Sequence, residues 1–86
     1  SMHGKFNDSK KFLAKMRFEY GPIYNHEAYT FLESHGTNDG DIIQKVRVQD
    51  RYSGEKSLVI YRISIDLEGH YVIDSFTIIN FDSTPI

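Results

Sequence analysis

No cysteine occurs among the 86 residues, which excludes a disulfide framework and a thiolate zinc site. No apolar run reaches the roughly 18 residues that a membrane span needs, and the N-terminus carries no apolar signal-peptide core. Ser1-Met2 reads as a cleavage scar ahead of a native Met. These absences predict a soluble, cytoplasmic chain without membrane contact. The six glycines are scattered as turn and cap residues, so no phosphate-binding glycine loop exists, and no motif fixes a nucleophile beside a base. Catalytic residues, metal ligands and cofactors are therefore all assigned as none.

Charge of one sign is also missing. Ten Lys and Arg stand against twelve Asp and Glu, a net charge of -2. That balance argues against a dedicated nucleic-acid binder and against a polyanion mimic. The split is mildly uneven: residues 1–36 hold five basic and four acidic groups, residues 37–86 five and eight. A chain this short forms one small domain that buries only about 60–65% of its unfolded surface. Association would help to stabilise it. Twelve aromatics, six Tyr and six Phe, are too many for so small a core, which places some of them at a surface.

What the chain has in abundance is β-branched and aromatic residues, concentrated between Ser57 and Phe81. Glu68-Gly69 within that stretch reads as a two-residue hairpin turn. Closing there pairs Leu67 with His70, Ile65 with Val72, Tyr61 with Phe76 and Val59 with Ile78, the last three pairs sharing one face. Upstream, Ile42 to Arg51 alternates as a strand, with Ile42, Val46 and Val48 on one side and Ile43, Lys45, Arg47 and Gln49 on the other. A turn at Ser53-Gly54 pairs Val48 with Val59, Val46 with Tyr61 and Ile42 with Ile65, meeting the same core face. The result is a three-stranded antiparallel meander with 57–67 in its centre. Thr37 to Asp41 is a loop by composition, and it lacks the spacing of a calcium-binding loop.

Two helices are expected before the sheet. The first covers about 8–20, capped by Asn7 or Asp8, stapled by Phe6 and ended by Gly21-Pro22. Its apolar side holds Phe12, Leu13, Met16 and Tyr20. The second runs from Asn25 or His26 to His35, with Ala28, Phe31, Leu32 and His35 at helical spacing as its inner stripe. The short linker 21–24 makes them a helical hairpin. Tyr24, His26, Glu27, Tyr29 and His35 form a polar-aromatic cluster, but on a helix His26 and His35 point about 180° apart and cannot share a ligand. Residues 1–6 are expected to be unstructured or a tag remnant, and 82–86 a frayed tail.

The fold class expected is therefore α+β, a helical hairpin on one face of the meander in the order α-α-β-β-β. A sheet with helices on one side should show a polar second face. Here that face carries Leu58, Ile60, Ile73 and Ile79 as an apolar band fringed by Lys45, Arg47 and Arg62. These seven are the candidate binding residues. They predict a small non-enzymatic protein-binding module, an adaptor, inhibitor or accessory factor, whose partner is another protein or a second copy in a homodimer. Cover by the chain's own termini is the competing explanation for the band. Two other functions compete as well. One is a ligand or enzyme-like pocket between helices and sheet, lined by Tyr20, Tyr24, Phe31 and Tyr61. The other is an RNA platform using Lys45, Arg47, Arg51 and Arg62. RNA-binding sheets stack bases on central-strand aromatics, and the only one here, Tyr61, faces the core.

Overall fold

Inner strands of a sheet are buried by neighbours on both sides, and that is where the core of this chain lies. The computed structural model describes residues 2–20 and 27–80, with side chains for 4–16 and 28–80. Helix α1 (Met2–Tyr20) is followed by β1 (Glu27–Gly36), β2 (Ile42–Asp50), β3 (Lys56–Ile65) and β4 (Tyr71–Asn80). The strands form one antiparallel sheet in the order β1-β2-β3-β4. Ile42, Gln44, Val46 and Val48 of β2 and Val59, Tyr61 and Ile63 of β3 are buried on one face, and Leu13 of α1 packs against them.

The α+β class is as expected, with one helix and four strands among the described residues where two helices and three strands were expected. The segment read as the second helix is strand β1. Its Ala28, Phe31, Leu32 and His35 do not share a face: Phe31 points to the core, whereas Ala28 and His35 lie opposite the outward Gln49 and Ile43. Tyr29 and Phe31 face the core opposite Val48 and Val46. One extra residue then enters between Phe31 and Ser34, and the core-facing set becomes Ser34 and Gly36. The broken alternation hides the strand from a count at period two. Pairing with β1 also satisfies the edge of β2, which a helical hairpin would leave bare.

Helix α1 begins at Met2, six residues earlier than expected. Asn7 and Asp8 are thus exposed helical positions and not caps, and Phe6 packs on the core instead of stapling the start. Phe6, Ser9, Leu13 and Met16 recur at three- and four-residue intervals, so the longer helix extends one apolar stripe across the sheet. Ser9 is fully buried, and its hydroxyl donates to the Phe6 carbonyl at 2.9 Å. The expected stop at Gly21-Pro22, the linker 21–24, the second-helix start at 25–26 and the tail 82–86 lie outside the described residues.

All three hairpin loops are set by side chains that accept backbone N–H groups. Between β1 and β2, the Thr37 N–H donates to the Asp41 carbonyl and the Asp41 N–H to Thr37 Oγ1. Between β3 and β4 the Asp66 carboxylate accepts from the N–H groups of Glu68 (3.0 Å) and His70 (2.8 Å). Its own N–H donates to the His70 carbonyl at 2.9 Å, and Gly69 has φ +88°. The loop is therefore Leu67-Glu68-Gly69, one residue longer than the two-residue turn expected, and Leu67 does not pair with His70. Between β2 and β3 the Asp50 carboxylate accepts from Tyr52 and Ser53 N–H groups. That makes a four-residue loop, Arg51 to Gly54. Val46 consequently faces Val59, Ile42 faces Ile63, and Val48 faces Ser57. The shift from the expected pairing is two residues, an even number, so every side chain keeps its face.

A second bulge sits on β4. Tyr61–Phe76 and Val59–Ile78 pair as expected, but Ile63 lies opposite Ile73 and Ile65 opposite Tyr71, leaving Asp74 as the extra residue. Tyr71 and Ile73 therefore turn to the helix side, where both pack on the core cluster. Val72 moves to the opposite, solvent side.

Gln44 holds the β1 bulge together. It is fully buried, and its Nε2 donates to the carbonyls of Leu32 (3.5 Å), Glu33 (3.2 Å) and Lys45 (2.8 Å). Ser34 Oγ donates to its Oε1. Replacing it by an apolar side chain of similar size strands those groups, which costs about 1–3 kcal/mol for buried polar atoms. Gln44→Leu should lose that much stability in a urea titration, while exposed Thr30→Ala should change it by less than about 0.5 kcal/mol. Equal effects would show that the bulge does not depend on Gln44.

Candidate functional site

Side chains that leave the core face of β2 and β3 line the opposite side of the sheet, where the register brings most of the candidate binding residues together. Arg47 lies opposite Leu58 and Leu58 opposite Ile79; Lys45 lies opposite Ile60 and Ile60 opposite Thr77; Ile43 lies opposite Arg62. Leu58 and Ile60 are half-buried by one another and by these neighbours, whereas Ile79 is exposed. Six of the seven candidates, Lys45, Arg47, Leu58, Ile60, Arg62 and Ile79, share this face. Ile73 does not. The Asp74 bulge turns it beneath α1, and Val72 stands on the outer face in its place.

The three basic groups are not equivalent. Arg62 is held by two loop carboxylates: its Nε donates to Asp41 at 2.8 Å and a terminal nitrogen to Asp39 at 3.3 Å. Lys45 donates to Glu33 of β1, and this hydrogen-bonded ion pair holds the Glu33 carboxyl below the usual carboxylate range. Arg47 is exposed and pairs with no carboxylate among the described residues. Of the cations expected at the rim, Arg47 alone keeps its charge available to a partner, since the other two have intramolecular counter-ions. Composition marks the acidic stretch that holds Arg62, Thr37 to Asp41, only as a loop. No sequence signal links residue 62 to residues 39 and 41, because the register that brings them together depends on the length of the 51–54 loop.

The helix-covered side offers a different feature. A cleft of about 340 Å³ opens between α1 and the start of β4, lined by Phe12, Met16, Tyr71, Val72 and Ile73. Phe12 and Tyr71 form its aromatic wall, with ring centroids 6.0 Å apart. Burial, together with the Asp8 carboxylate, pushes the Tyr71 phenol above its ordinary value. The pocket expected at Tyr20, Tyr24, Phe31 and Tyr61 is not the one found: Tyr61 is fully buried in the core, Phe31 packs against it, and Tyr20 and Tyr24 have no described side chains. In the polar-aromatic cluster, Tyr29 faces the core and His35 the outer side, opposite Ile43; Tyr24, His26 and the Glu27 side chain lie outside the described residues. Among the described residues no three His, Asp or Glu side chains converge as a metal site requires, and no helix is long and apolar enough to cross a membrane.

No family model, curated protein or solved structure matches the chain, so its own geometry must supply the functional argument.

The Asp66 carboxylate makes the hairpin between β3 and β4 sensitive to acid. Backbone N–H donation from His70 and Glu68 holds Asp66 below the ordinary Asp value. A carboxyl whose folded value is depressed contributes stability above its unfolded value and loses it as pH falls through the folded one. Acidification below about pH 4 should therefore lower the protection of the Glu68 and His70 amides, relative to their intrinsic exchange rates, before the core strands open. Asp66→Asn should remove most of that pH dependence. Identical exchange profiles for the two proteins between pH 5 and pH 2.5, on the order of the carboxylate range, would rule out control by Asp66.

Proposed function

We propose that this chain is a non-enzymatic protein-binding module that uses the outer face of its sheet. The observation that carries the reading is the apolar band of Leu58, Ile60 and Ile79, which no described element covers, beside an Arg47 that pairs with no carboxylate among the described residues, while α1 occupies the other face. Interfaces of this kind combine an apolar centre with a polar rim, and contiguous exposed apolar surface on a small domain marks an interaction site. The partner fitting it is a protein surface that is apolar at its centre and presents a carboxylate to Arg47. Lys45 and Arg62, already paired to Glu33 and to Asp39 and Asp41, fix the borders of the face and contribute little attraction. The same pairing weakens the RNA reading, because it neutralises two of the four cations that an RNA platform would use. The helix-side cleft supports a small-ligand reading only as a second choice. It is open and apolar, and among the described residues Tyr71 is the only titratable side chain in its lining.

The test compares wild type with Leu58→Asp/Ile60→Asp and with Arg47→Glu as bait in extracts of the native host. The double variant should keep the wild-type circular dichroism spectrum yet lose the retained protein, and Arg47→Glu should weaken retention by about 1–2 kcal/mol, roughly 5- to 30-fold. Ile73→Asp, by contrast, should unfold or strongly destabilise the domain, since it buries a charge beneath α1. Retention of the same proteins by the double variant would overturn the proposal. RNA binding that falls steeply with salt would replace it by the nucleic-acid reading.

A further inference from the structure

The two edges of the sheet are built differently. The β1 edge is interrupted by its bulge and carries Glu27 and Glu33, the devices that keep strands from pairing with other chains. From Ser75 to Asn80, β4 carries no charge, no Pro and no Gly, and every residue is exposed. Its large apolar side chains are open to solvent on both faces: Phe76 (44% exposed) and Ile78 (50%) on the helix side, Ile79 (46%) on the outer side. Every other residue of an edge strand also directs its N–H and C=O away from the sheet. Among the described residues no further strand pairs with the free edge of β4, and α1 leaves Phe76 and Ile78 half open.

We propose that β4 pairs antiparallel with β4 of a second copy of this chain. A two-fold axis perpendicular to the sheet is the only one that joins two such edges in antiparallel fashion, and it keeps both helices on one side. Centring it on Thr77 sets Phe76 opposite the partner's Ile78, and Ile78 opposite the partner's Phe76, both on the helix side. Thr77 meets the partner's Thr77, Ser75 the partner's Ile79, and Asp74 the partner's Asn80. Aromatic–β-branched and Thr–Thr pairs are the favourable cross-strand combinations. Centring on Phe76 would set Asp74 against the partner's Ile78, and centring on Ile78 would set Phe76 against the partner's Asn80. The Thr77 centre alone matches the apolar pair with itself and leaves no charge facing an apolar side chain. The two sheets of four strands merge into one of eight, and the exposed sides of Phe76 and Ile78 cover one another. The interface uses the strand edge, so it does not rest on the outer-face reading and leaves the Leu58–Ile60 band free.

Sedimentation of the full chain over a concentration series tests this. Wild type should run at twice the 10.0 kDa chain mass with a melting temperature that rises with concentration. Ile78→Lys, which places a charge at a half-exposed edge position, should halve the mass while retaining the wild-type dichroism. Ile60→Asp should leave the mass doubled. A wild type that stays at the single-chain mass throughout, a dimer that survives Ile78→Lys, or a dimer abolished by Ile60→Asp would each overturn the proposal. Should Ile78→Lys fail to fold, hydrogen exchange of the wild type decides: amides between Phe76 and Ile79 that gain protection with concentration support the pairing, and concentration-independent exchange overturns it.

Discussion

A single helix is too narrow to cover four strands. Helix α1, 19 residues long, spans about 28 Å with a diameter near 10 Å. Four strands spaced about 4.8 Å apart make a sheet some 15–19 Å wide, so roughly half of one face can lie beneath the helix. The burial pattern follows from that mismatch. Alternate residues of β2 are sealed from Ile42 to Val48, and Val59, Tyr61 and Ile63 of β3 are sealed with them. Helix-side residues of the far part of β4, Phe76 and Ile78, remain about half exposed although they pair with the buried Tyr61 and Val59. The truncation cost of a fully buried Phe, about 3–5 kcal/mol, thus belongs to Tyr61 and not to Phe76.

The two bulges serve this arrangement from opposite edges. On β1 the extra residue brings Ser34 to the core side and frees carbonyls that the buried amide of Gln44 satisfies. A polar group at zero exposure is tolerated there because its amide is fully used. On β4 the extra residue, Asp74, lets Tyr71 and Ile73 at one end and Phe76 and Ile78 at the other face the helix side together. The near end of β4 packs on the core, while its far end lies beyond the helix and stays about half exposed. One inserted residue on each edge strand thus decides which side chains face the core side of the sheet.

The sequence made legible the features that depend on unbroken alternation. The shared core face of Ile42, Val46, Val48, Val59 and Tyr61 could be read, as could the outer position of Lys45, Arg47, Leu58, Ile60, Arg62 and Ile79. What could not be read depends on side chains acting on the backbone. Asp50 and Asp66 lengthen the two later hairpin loops by accepting N–H groups, which moved one register by two residues and removed the Leu67–His70 pair. Gln44 supports a bulge ten or more residues away in the chain, and that bulge breaks the alternation by which β1 could be read as a strand. Ile73 was misplaced for the same reason: alternation counted through Asp74 comes out one residue wrong.

The asymmetry between the two faces can be measured directly in solution. A soluble paramagnetic probe added to dilute, methyl-labelled protein attenuates the signals of side chains that solvent reaches. If one face is bare, the methyls of Leu58, Ile60 and Ile79 should broaden strongly while those of Ile42, Val46 and Ile63 persist. Equal protection of both sets would mean that the rest of the chain covers the outer face, and the interaction surface proposed there would not exist.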